Sequence, residues 1–496
     1  MNLTKTDFKE YLQCRESFWL KKKRPEDYKE GEFSLFLEKL IADGYEVEEY
    51  VHKLFPGGVD LEGDEATLLQ ETEKLVACAD NPACAGSPIF QATFKTDKGL
   101  FIKIDILNFN KETKKWDIYE VKASSEIKTD VQHNHIKDIT FQTIVAERAR
   151  IPIGESYIIH INKEYRRDGE LDLRELFVFA NVTEDVREGR EEVNSEIDGA
   201  LALLEQDSIS MTSCGCLYKS RAQGCDMFEF FNPQVPKYSV HNLFRGKKLR
   251  LLVDESIFKI TDIPDDFKLT DRQEEQVTLQ KTQIPLIDKA GVEETLSHLR
   301  FPLYFLDYET FGKPIPLLDK YNTNQQIVFQ FSLHVLEEDG TLKHFEYLAE
   351  DMENATSGLV KALREHIGPV GSIIVWYESF EKGRNKELAE LHPECRDFME
   401  DVNSRVFDLM KVFKKDYLHP GFNGSASIKK VLPVLLPELS YKSLDIQDGT
   451  MALTEWERML AKHTVREHKE EIKNNLLKYC KLDTLAMVKI FEFLRK

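Results

Sequence analysis

Short runs of alternating apolar and polar residues mark the first half of the chain, and this is the pattern of half-buried β-strands. The predicted strands lie at 89–94, 100–108, 115–122 and 155–161. Helical spacing of apolar residues predicts a helix near the N-terminus, where Thr4-x-x-Asp7 resembles a capping box, and another helix at 136–150. This order of elements predicts an α/β fold with a mixed sheet flanked by helices.

A second α/β pattern begins at an apolar strand at 302–307. It continues with strands at 327–336 and 342–348, a helix at 354–367, a strand at 372–377 and mainly helical sequence. The stretch between the two patterns is polar, with mixed short elements. We therefore predict a domain at 1–225, a connecting region at 226–296 and a second domain at 297–496.

The composition fits a chain with more than one buried core. Of the 496 residues, 42% are hydrophobic and 10% are aromatic. No apolar run approaches the roughly 18 residues that span a bilayer, and the N-terminus has no apolar signal core, so we expect a cytoplasmic protein without a membrane partner. The formal net charge of −20 excludes a uniformly basic surface for nucleic acid, but it allows local basic patches.

Two neighbouring strands of the first domain carry charged residues that are typical of a metal site. Asp105 lies on one strand, and Glu120 and Lys122 lie on the next. Alternate residues of a strand face the same way, so Glu120 and Lys122 can share one site. Carboxylate oxygens suit Mg²⁺ or Mn²⁺, which activate water, and a lysine can stabilise the charge that develops on a phosphate. The alternative is a set of solvent-facing charges on half-buried strands.

A second set of acidic residues marks the C-terminal domain. Asp307 and Glu309 alternate on an apolar strand and can share one cation. Far downstream, Tyr479 and Asp483 are four residues apart in a helical stretch and therefore share a face. Two such sets in one chain predict two hydrolytic metal centres that act on phosphodiesters. An exposed strand edge is the alternative for Asp307 and Glu309.

Three further acids are candidates for the same C-terminal site. Glu381 follows a buried strand close to a helix start, and Glu378 is the competing choice. Asp408 lies on a strand-like run and could support the metal ligands. The loop 424–430 precedes a helix, and its backbone donors and two lysines could hold phosphate, although an ordinary helix N-cap is the alternative.

Three cysteines, Cys214, Cys216 and Cys225, form a local cluster, and Cys14 is a candidate fourth ligand. Clustered cysteines in a cytosolic protein indicate metal binding rather than disulfides. Thiolates suit either zinc or an iron–sulfur cluster. Chance clustering remains the alternative.

The strand-borne Asp105, Glu120 and Lys122 resemble the motif of the PD-(D/E)xK nuclease superfamily, and the placement of the cysteines resembles its RecB-like branch. The resemblance implies a restriction-endonuclease-like domain in which the two acids bind metal and the lysine is catalytic. It also implies a [4Fe–4S] cluster that joins the two ends of the domain. The implied cluster ligands are Cys14, Cys214, Cys216 and Cys225.

The same branch places a metal-binding histidine or glutamate on an early helix. Glu46, Glu49 and His52 are the candidates, and the surrounding residues favour Glu46. The branch typically has a glutamine on the helix after the lysine strand, and Gln142 occupies that place.

The C-terminal set resembles the DEDD exonucleases of the ribonuclease H-like fold, in the subclass with a tyrosine four residues before the last aspartate. In that family four acids hold two metal ions. The resemblance implies that Asp307, Glu309, Glu381 and Asp483 bind metal and that Tyr479 orients the attacking water. Glu381 departs from the family pattern, which usually has aspartate at this position.

Five segments extend the resemblance over most of the chain: 55–58, 120–122, 306–310, 427–433 and 479–484. They are similar to a bacterial family that joins a RecB-like iron–sulfur nuclease domain to a ribonuclease H-like DEDD exonuclease domain. We therefore expect a metal-dependent nuclease acting on single-stranded DNA, with 3′-to-5′ exonuclease chemistry in the C-terminal domain. The alternatives are an RNA-processing exoribonuclease and a nucleic-acid-binding scaffold with one or both sites inactive.

Overall fold

The computed structural model of the protein describes residues 2–29, 34–79, 86–130 and 133–496. The contacts divide the chain into two units. Unit 1 comprises Met1–Asp262 and Pro314–Asn324, and unit 2 comprises Ile263–Lys313 and Gln325–Lys496. Each unit contains both sheet and helix, so the predicted α/β class is confirmed.

The elements of unit 1 follow the predicted order of helices and strands. Its helices are α1 (Lys5–Gln13), α2 (Arg15–Lys23), α3 (Leu35–His52), α4 (Glu65–Ala77), α5 (His135–Arg148), α6 (Leu173–Leu176), α7 (Thr183–Glu205), α8 (Phe228–Phe231), α9 (Val240–Leu243) and α10 (Gly246–Asp254). Its strands are β1 (Val59–Asp60), β2 (Ile89–Lys95), β3 (Phe101–Asn110), β4 (Lys115–Lys122), β5 (Ile153–Ile161) and β6 (Phe177–Asn181).

The strands of unit 1 form one mixed sheet in the order β1-β2-β3-β4-β5-β6. Strands β2, β3 and β4 form an antiparallel meander. Strand β5 pairs with β4 in parallel, because α5 carries the chain back across the sheet between them.

Helices cover both faces of this sheet. On one face Phe8 of α1 stacks on Phe141 of α5 at a ring-centroid distance of 4.8 Å, and Val193 of α7 joins the same buried core. On the other face Val47 and Val51 of α3 are buried against the sheet. The meander is therefore packed against helices on both faces, and this packing holds the charged residues of its central strands in place.

The first helix begins where the sequence predicts. Thr4 and Asp7 form a capping box: the Thr4 hydroxyl accepts from the Asp7 N–H at 3.1 Å, and Asp7 accepts from the Thr4 N–H at 2.9 Å. Two donors at the helix start are satisfied in this way.

The elements of unit 2 begin before the predicted second domain. Its helices are α11 (Asp271–Thr282), α12 (Lys289–Ser297), α13 (Ala355–His366), α14 (Glu378–Leu391), α15 (Arg396–Ser404), α16 (Met410–Lys415), α17 (Ile428–Leu435), α18 (Gly449–Leu460) and α19 (Arg466–Leu494). Its strands are β7 (Leu286–Ile287), β8 (Leu303–Gly312), β9 (Gln326–Leu336), β10 (Leu342–Leu348), β11 (Ser372–Val375), β12 (Val406–Asp408) and β13 (Tyr417–Leu418).

The main sheet of unit 2 has the strand order β10-β9-β8-β11-β12. Strands β8, β9 and β10 form an antiparallel meander, and β11 and β12 run parallel to β8. Strand β8 is therefore central and buried, which is why its sequence is apolar apart from the two acids.

Both faces of this sheet are also covered. Helices α13, α14 and α15 contribute to the core on one face, with Leu363, Leu388 and Met399 fully or almost fully buried. On the other face Trp456 of α18 stacks on Phe329 of β9 at 4.4 Å, and Phe491 of α19 contacts Phe305 of β8 at 5.8 Å. Helix α19, which carries Tyr479 and Asp483, is thereby packed along the sheet.

The unit boundaries differ from the predicted regions. Residues 226–262 belong to unit 1 and residues 263–296 to unit 2, so the predicted connecting region is divided between them. Although this region is polar in composition, it contains regularly spaced apolar residues that enter the cores. Phe231 and Leu249, for example, are fully buried. Pro314–Asn324 belongs to unit 1, where the Arg167 guanidinium donates to the Leu317 carbonyl at 2.7 Å.

Among the described residues, no helix has the length and apolar character needed to cross a bilayer.

Candidate metal sites

The first site forms where β3 and β4 lie side by side. Ile106 pairs with Tyr119, which brings Asp105 next to the β4 segment that carries Glu120 and Lys122. The Val121 N–H donates to Asp105 Oδ2 at 2.8 Å. This backbone bond fixes the Asp105 carboxylate against β4, so the structure brings the three predicted residues together.

Glu120 is the centre of this group. Its side chain is 1% exposed, and its Oε1 accepts from both Lys122 Nζ and Lys5 Nζ at 2.6 Å. Gln142 on α5 donates to the other oxygen, Oε2, as its predicted place suggests. Burial disfavours the charged carboxylate, but the two lysines overcome this and hold the pKa of Glu120 well below its ordinary value.

Sequence reasoning missed three members of the group. Asp138 on α5 accepts from Lys122 at 3.2 Å and from Lys9 at 3.1 Å, and Lys5 contacts Glu120 directly. Asp138 lies four residues before Gln142 on one helix face, and that spacing was the available signal for it. Nothing in the spacing of Lys5 signals a site, because α1 reaches the sheet only through tertiary packing.

The structure places Glu48, rather than the favoured Glu46, against the first site. The charge of Glu48 acts on Asp105, and His52 Nε2 lies 3.5 Å from Glu48 Oε1. Residues two apart on a helix face different directions, so Glu46 does not share this face, whereas Glu48 and His52 do. Glu49 is exposed. His52 Nε2 is buried and has no hydrogen bond to any residue that the structure describes, so Glu48 at 3.5 Å is its polar neighbour.

The Asp105 carboxyl is expected to make the stability of the metal-free protein depend on pH. Burial, followed by repulsion from Glu120, raises the pKa of Asp105 to about 7. Between its ordinary value of 3.8 and about 7 the folded state holds more protons than the unfolded state, so this carboxyl destabilises the metal-free protein as the pH rises through that window. We expect Asp105→Asn to raise the unfolding temperature of metal-free protein at about pH 8 and to raise it clearly less at about pH 5, where only the lower part of the window has been crossed.

Thermal unfolding at the two pH values measures this effect. Asp97→Asn, in an exposed turn of the same unit, is the matched control and should shift neither midpoint. Equal stabilisation by Asp105→Asn at both pH values would contradict the raised pKa.

The second site joins residues from three elements of unit 2. Asp307 and Glu309 lie on β8, opposite Ser332 and Gln330 of β9. Glu381 lies in the first turn of α14, and Asp483 lies on α19. Ligand atoms of Asp307, Glu309 and Cys480 lie within 4.8 Å of one another. Charges of Asp307, Glu309 and Asp483 all act on Glu381, so the four predicted acids lie within range of one another's charge.

These four carboxyl groups share a largely dry environment. Glu309, Glu381 and Asp483 are 8%, 2% and 8% exposed, and within the described part of the chain Glu381 Oε2 is buried without a hydrogen-bond partner. Burial raises the pKa of Asp307, Glu309 and Glu381 well above their ordinary values, and repulsion between neighbouring carboxylates raises it further. Burial also raises the pKa of Asp483 to about 6. A cation in this cluster would remove the repulsion.

Three further residues neighbour the second site, of which Tyr441 and Cys480 were not predicted as site residues. Tyr441 Oη donates to Asp483 Oδ1 at 2.6 Å, and Cys480 Sγ lies 3.9 Å from Asp307 Oδ2. Lys429, in the loop-and-helix segment noted in the sequence, has its Nζ 5.9 Å from the Tyr479 ring centre. The positive charge of Lys429 lowers the pKa of Asp307, Glu309 and Asp483, which partly offsets the effect of burial.

Glu378 and Asp408 have other roles. Glu378 forms ion pairs with Lys382 at 3.4 Å and Lys411 at 2.5 Å, which leaves Glu381 as the α14 acid of the cluster. Asp408 Oδ1 accepts from the N–H groups of Tyr377 and Met410, both at 3.1 Å. Tyr377 has a left-handed backbone with φ 102°, so Asp408 stabilises the strained turn that leads into α14.

The four predicted cysteines also come together. Cys14, between α1 and α2, meets Cys214, Cys216 and Cys225, and the four sulfur atoms all lie within 4.8 Å of one another. All four are buried. Hydrogen bonds from the other three thiols, and a further one from Asn232 Nδ2 at 3.3 Å, lower the pKa of Cys214. The four thiols are close enough to hold one metal ion, and they join the N-terminal part of unit 1 to the segment after α7.

Comparison with known proteins finds one family model that matches a limited part of the chain. Residues 304–427 match the family described as a domain of unknown function, DUF2779. The match contains Asp307, Glu309 and Glu381 and ends before Tyr479 and Asp483.

Two mycoplasmal proteins are similar over a limited region. The uncharacterized protein UU173 of Ureaplasma parvum serovar 3 is 25% identical over 224 residues, which is 41% of this chain and 32% of that protein. The uncharacterized protein MG366 of Mycoplasma genitalium is 27% identical over 226 residues, or 41% of this chain and 33% of that protein. The matched region thus spans about a third of each relative, and neither name states an activity.

Proposed function

We propose that the protein is a metal-dependent nuclease that hydrolyses phosphodiester bonds of single-stranded DNA, with 3′-to-5′ exonuclease chemistry in unit 2. The observation that carries the proposal is the convergence of Asp307, Glu309, Glu381 and Asp483 in a buried cluster with raised pKa values. Carboxylates packed together in this way are costly without a cation, and clusters of perturbed acids are typical of catalytic metal sites. The choice of DNA and the polarity rest on the sequence resemblance.

The sheet of unit 2 supports the ribonuclease H-like assignment. An acid pair lies on the first strand of a three-stranded meander, and further strands run parallel to that strand. Mg²⁺ or Mn²⁺ bound by the acids would polarise the scissile phosphate and lower the pKa of a bound water. Tyr479 would orient that water, as the resemblance implies, while the Tyr441 hydroxyl holds the Asp483 carboxylate.

Unit 1 supports a second nuclease centre of the PD-(D/E)xK type. Its mixed sheet presents Asp105 and Glu120 on adjacent strands, with Lys122 beside Glu120. Oxygen ligands from these acids, together with Glu48 or His52 of α3, fit Mg²⁺ or Mn²⁺. Lys122 is then placed to stabilise negative charge on the phosphate.

The four cysteines are proposed to hold the [4Fe–4S] cluster that the resemblance implies. Four buried thiols are the right donors for such a cluster or for zinc. Their spacing of at most 4.8 Å is closer to one tetrahedral ion, whose ligand sulfurs at about 2.3 Å from the metal lie about 3.8 Å apart. A cluster binds each cysteine to a different iron, so loading it requires the sulfurs to separate. Iron and sulfide analysis of anaerobically purified protein distinguishes the two, and stoichiometric zinc would exclude the cluster.

Degradation of end-labelled oligonucleotides tests the proposal. Single-stranded DNA, duplex DNA and RNA are each incubated with purified protein and Mn²⁺ or Mg²⁺. We expect single-stranded DNA to shorten stepwise from its 3′ end, and chelation of the metal to stop the reaction. Faster degradation of RNA would identify an exoribonuclease instead. Oligonucleotide binding without cleavage in metal-loaded protein would identify a binding scaffold.

The two tyrosines of unit 2 should have separable effects. Tyr479→Phe removes only the hydroxyl proposed to orient water, so we expect kcat to fall about a hundredfold with little change in Mn²⁺ affinity. Tyr441→Phe removes the hydrogen bond to Asp483, so we expect Mn²⁺ affinity itself to fall. Steady-state kinetics and calorimetric metal titration measure the two effects. Identical behaviour of the two variants would contradict the assignment of Tyr479 to water.

A further inference from the structure

Two lysines from different parts of the chain converge on one oxygen atom of the first site. Lys5 Nζ and Lys122 Nζ each lie 2.6 Å from Glu120 Oε1. Lys122 is the lysine of the strand motif, whereas Lys5 comes from the first residue of α1. The two ammonium groups therefore share one carboxylate oxygen.

The position of Lys5 is fixed by its backbone. Leu3 forms a bridge with Leu100, in which the Leu3 N–H donates to the Gly99 carbonyl at 2.8 Å and Leu3 accepts from the Phe101 N–H at 2.9 Å. The capping box at Thr4 then starts α1 immediately beside the sheet. Lys5 therefore enters the site from a rigid anchor, and its side chain is still 26% exposed.

Lys5 and Lys122 differ in the ion pairs that they form in addition to the one with Glu120. In the described part of the chain, Lys122 Nζ has a second ion pair with Asp138, and Lys9 braces Asp138 from the other side. Lys5 Nζ has one ion-pair partner there, Glu120. When the Glu120 carboxylate is taken up in metal coordination, Lys122 keeps Asp138, whereas Lys5 loses its partner.

We propose that Lys5 is a substrate-binding residue of the unit 1 centre, and that its ammonium group transfers from Glu120 to a non-bridging phosphate oxygen of the nucleic acid strand. This inference rests on the proposed function of unit 1. No covalent bond to Lys5 forms or breaks, since the ammonium group contributes only charge and hydrogen bonds. A phosphate needs such a cation in a protein of net charge −20, where general attraction to nucleic acid is absent.

The role has opposite consequences for metal and for substrate. In the metal-free protein Lys5 competes with a cation for Glu120, so its removal should leave Mn²⁺ affinity unchanged or increase it. In the complex Lys5 contacts phosphate, so its removal should weaken binding of the strand. A merely structural lysine would instead lower both affinities together with the unfolding temperature.

The test uses full-length protein carrying Asp307→Asn, so that cleavage reports on unit 1 alone. Lys5→Ala, Lys5→Arg and the control Lys74→Ala are added to this parent. Lys74 forms a Lys–Glu pair of the same 2.6 Å length with Glu71, but on the surface of α4. The measurements are Mn²⁺ affinity by calorimetry, affinity for a single-stranded DNA oligonucleotide with Ca²⁺ in place of Mn²⁺, and kcat and KM.

We expect Lys5→Ala to weaken oligonucleotide binding about ten- to a hundredfold and to raise KM by a similar factor, without loss of Mn²⁺ affinity. Lys5→Arg should restore most of the binding, and Lys74→Ala should match the parent. Unchanged oligonucleotide affinity in Lys5→Ala, or a joint loss of metal affinity and thermal stability, overturns the role of Lys5. A parent that binds neither Mn²⁺ at unit 1 nor DNA overturns the proposed function of unit 1 itself.

Discussion

We expect Asp307→Asn to reduce the metal-dependent exonuclease activity proposed for unit 2 by at least about a thousandfold. Asp307 is the β8 acid whose carboxylate lies beside Cys480 and whose charge acts on Glu309 and Glu381. Asparagine keeps the size of the side chain but removes the negative charge, so the cluster loses a ligand without losing its packing. Because burial and repulsion raise the pKa of Asp307, the metal-free variant should also be more stable than wild type at neutral pH.

The assay compares this variant with Lys122→Ala and with the double variant on end-labelled single-stranded DNA. Loss of activity in only one of the two single variants identifies the active unit. Partial loss in each single variant, with complete loss in the double variant, means that both centres cleave. Asp339→Asn, in the exposed turn after β9, is the matched control. Full activity in the double variant would rule out both proposed centres.

We expect Cys214→Ser to prevent binding of the metal proposed for the cysteine centre and to destabilise unit 1 by several kcal/mol, since binding energy at such a site is folding energy. Cys214 is 3% exposed, its Sγ lies 3.9 Å from that of Cys225, and it accepts a hydrogen bond from Asn232. The centre ties Cys14, at the end of α1, to the segment after α7. Without it α1 loses an anchor, and α1 also carries Lys5 of the first site.

Metal analysis measures the loss of metal, and thermal unfolding of full-length protein measures the loss of stability. Hydrogen exchange shows which part of the chain is destabilised. Protection should fall in α1 and around residues 214–225 and persist in β8 and α19. Cys395→Ser, at a buried cysteine of unit 2, is the control and should keep its full metal content. A Cys214→Ser protein with unchanged metal content and unfolding temperature would contradict the assignment of this ligand.

Several elements were predictable because their signals are local. The strands at β2, β3 and β4 show alternation, the capping box at Thr4 is a four-residue pattern, and Tyr479 and Asp483 follow helical spacing. For each of these features, the pattern that predicts it lies within a single helix or strand. Predicting the cysteine cluster required combining Cys14 with the distant group at 214–225. In the structure the four sulfur atoms lie within 4.8 Å of one another.

Other features could not be read from spacing. On α3 the sequence context favoured Glu46, but the buried positions Val47 and Val51 determine the helix rotation and direct Glu48 to Asp105. The stretch 226–296 was classified by its polarity, yet its few apolar residues enter both cores.

The sequence by itself determined the α/β class, the acid pairs on strands β3, β4 and β8, and the residue types able to bind metal, because alternation and charge are properties of the chain over a few residues. Only the tertiary structure decided which groups meet. It placed Lys5 and Asp138 around Lys122, chose Glu381 over Glu378, and added Tyr441 to Asp483. These contacts join elements far apart in the chain, so they depend on how helices pack against each sheet, which no local pattern specifies.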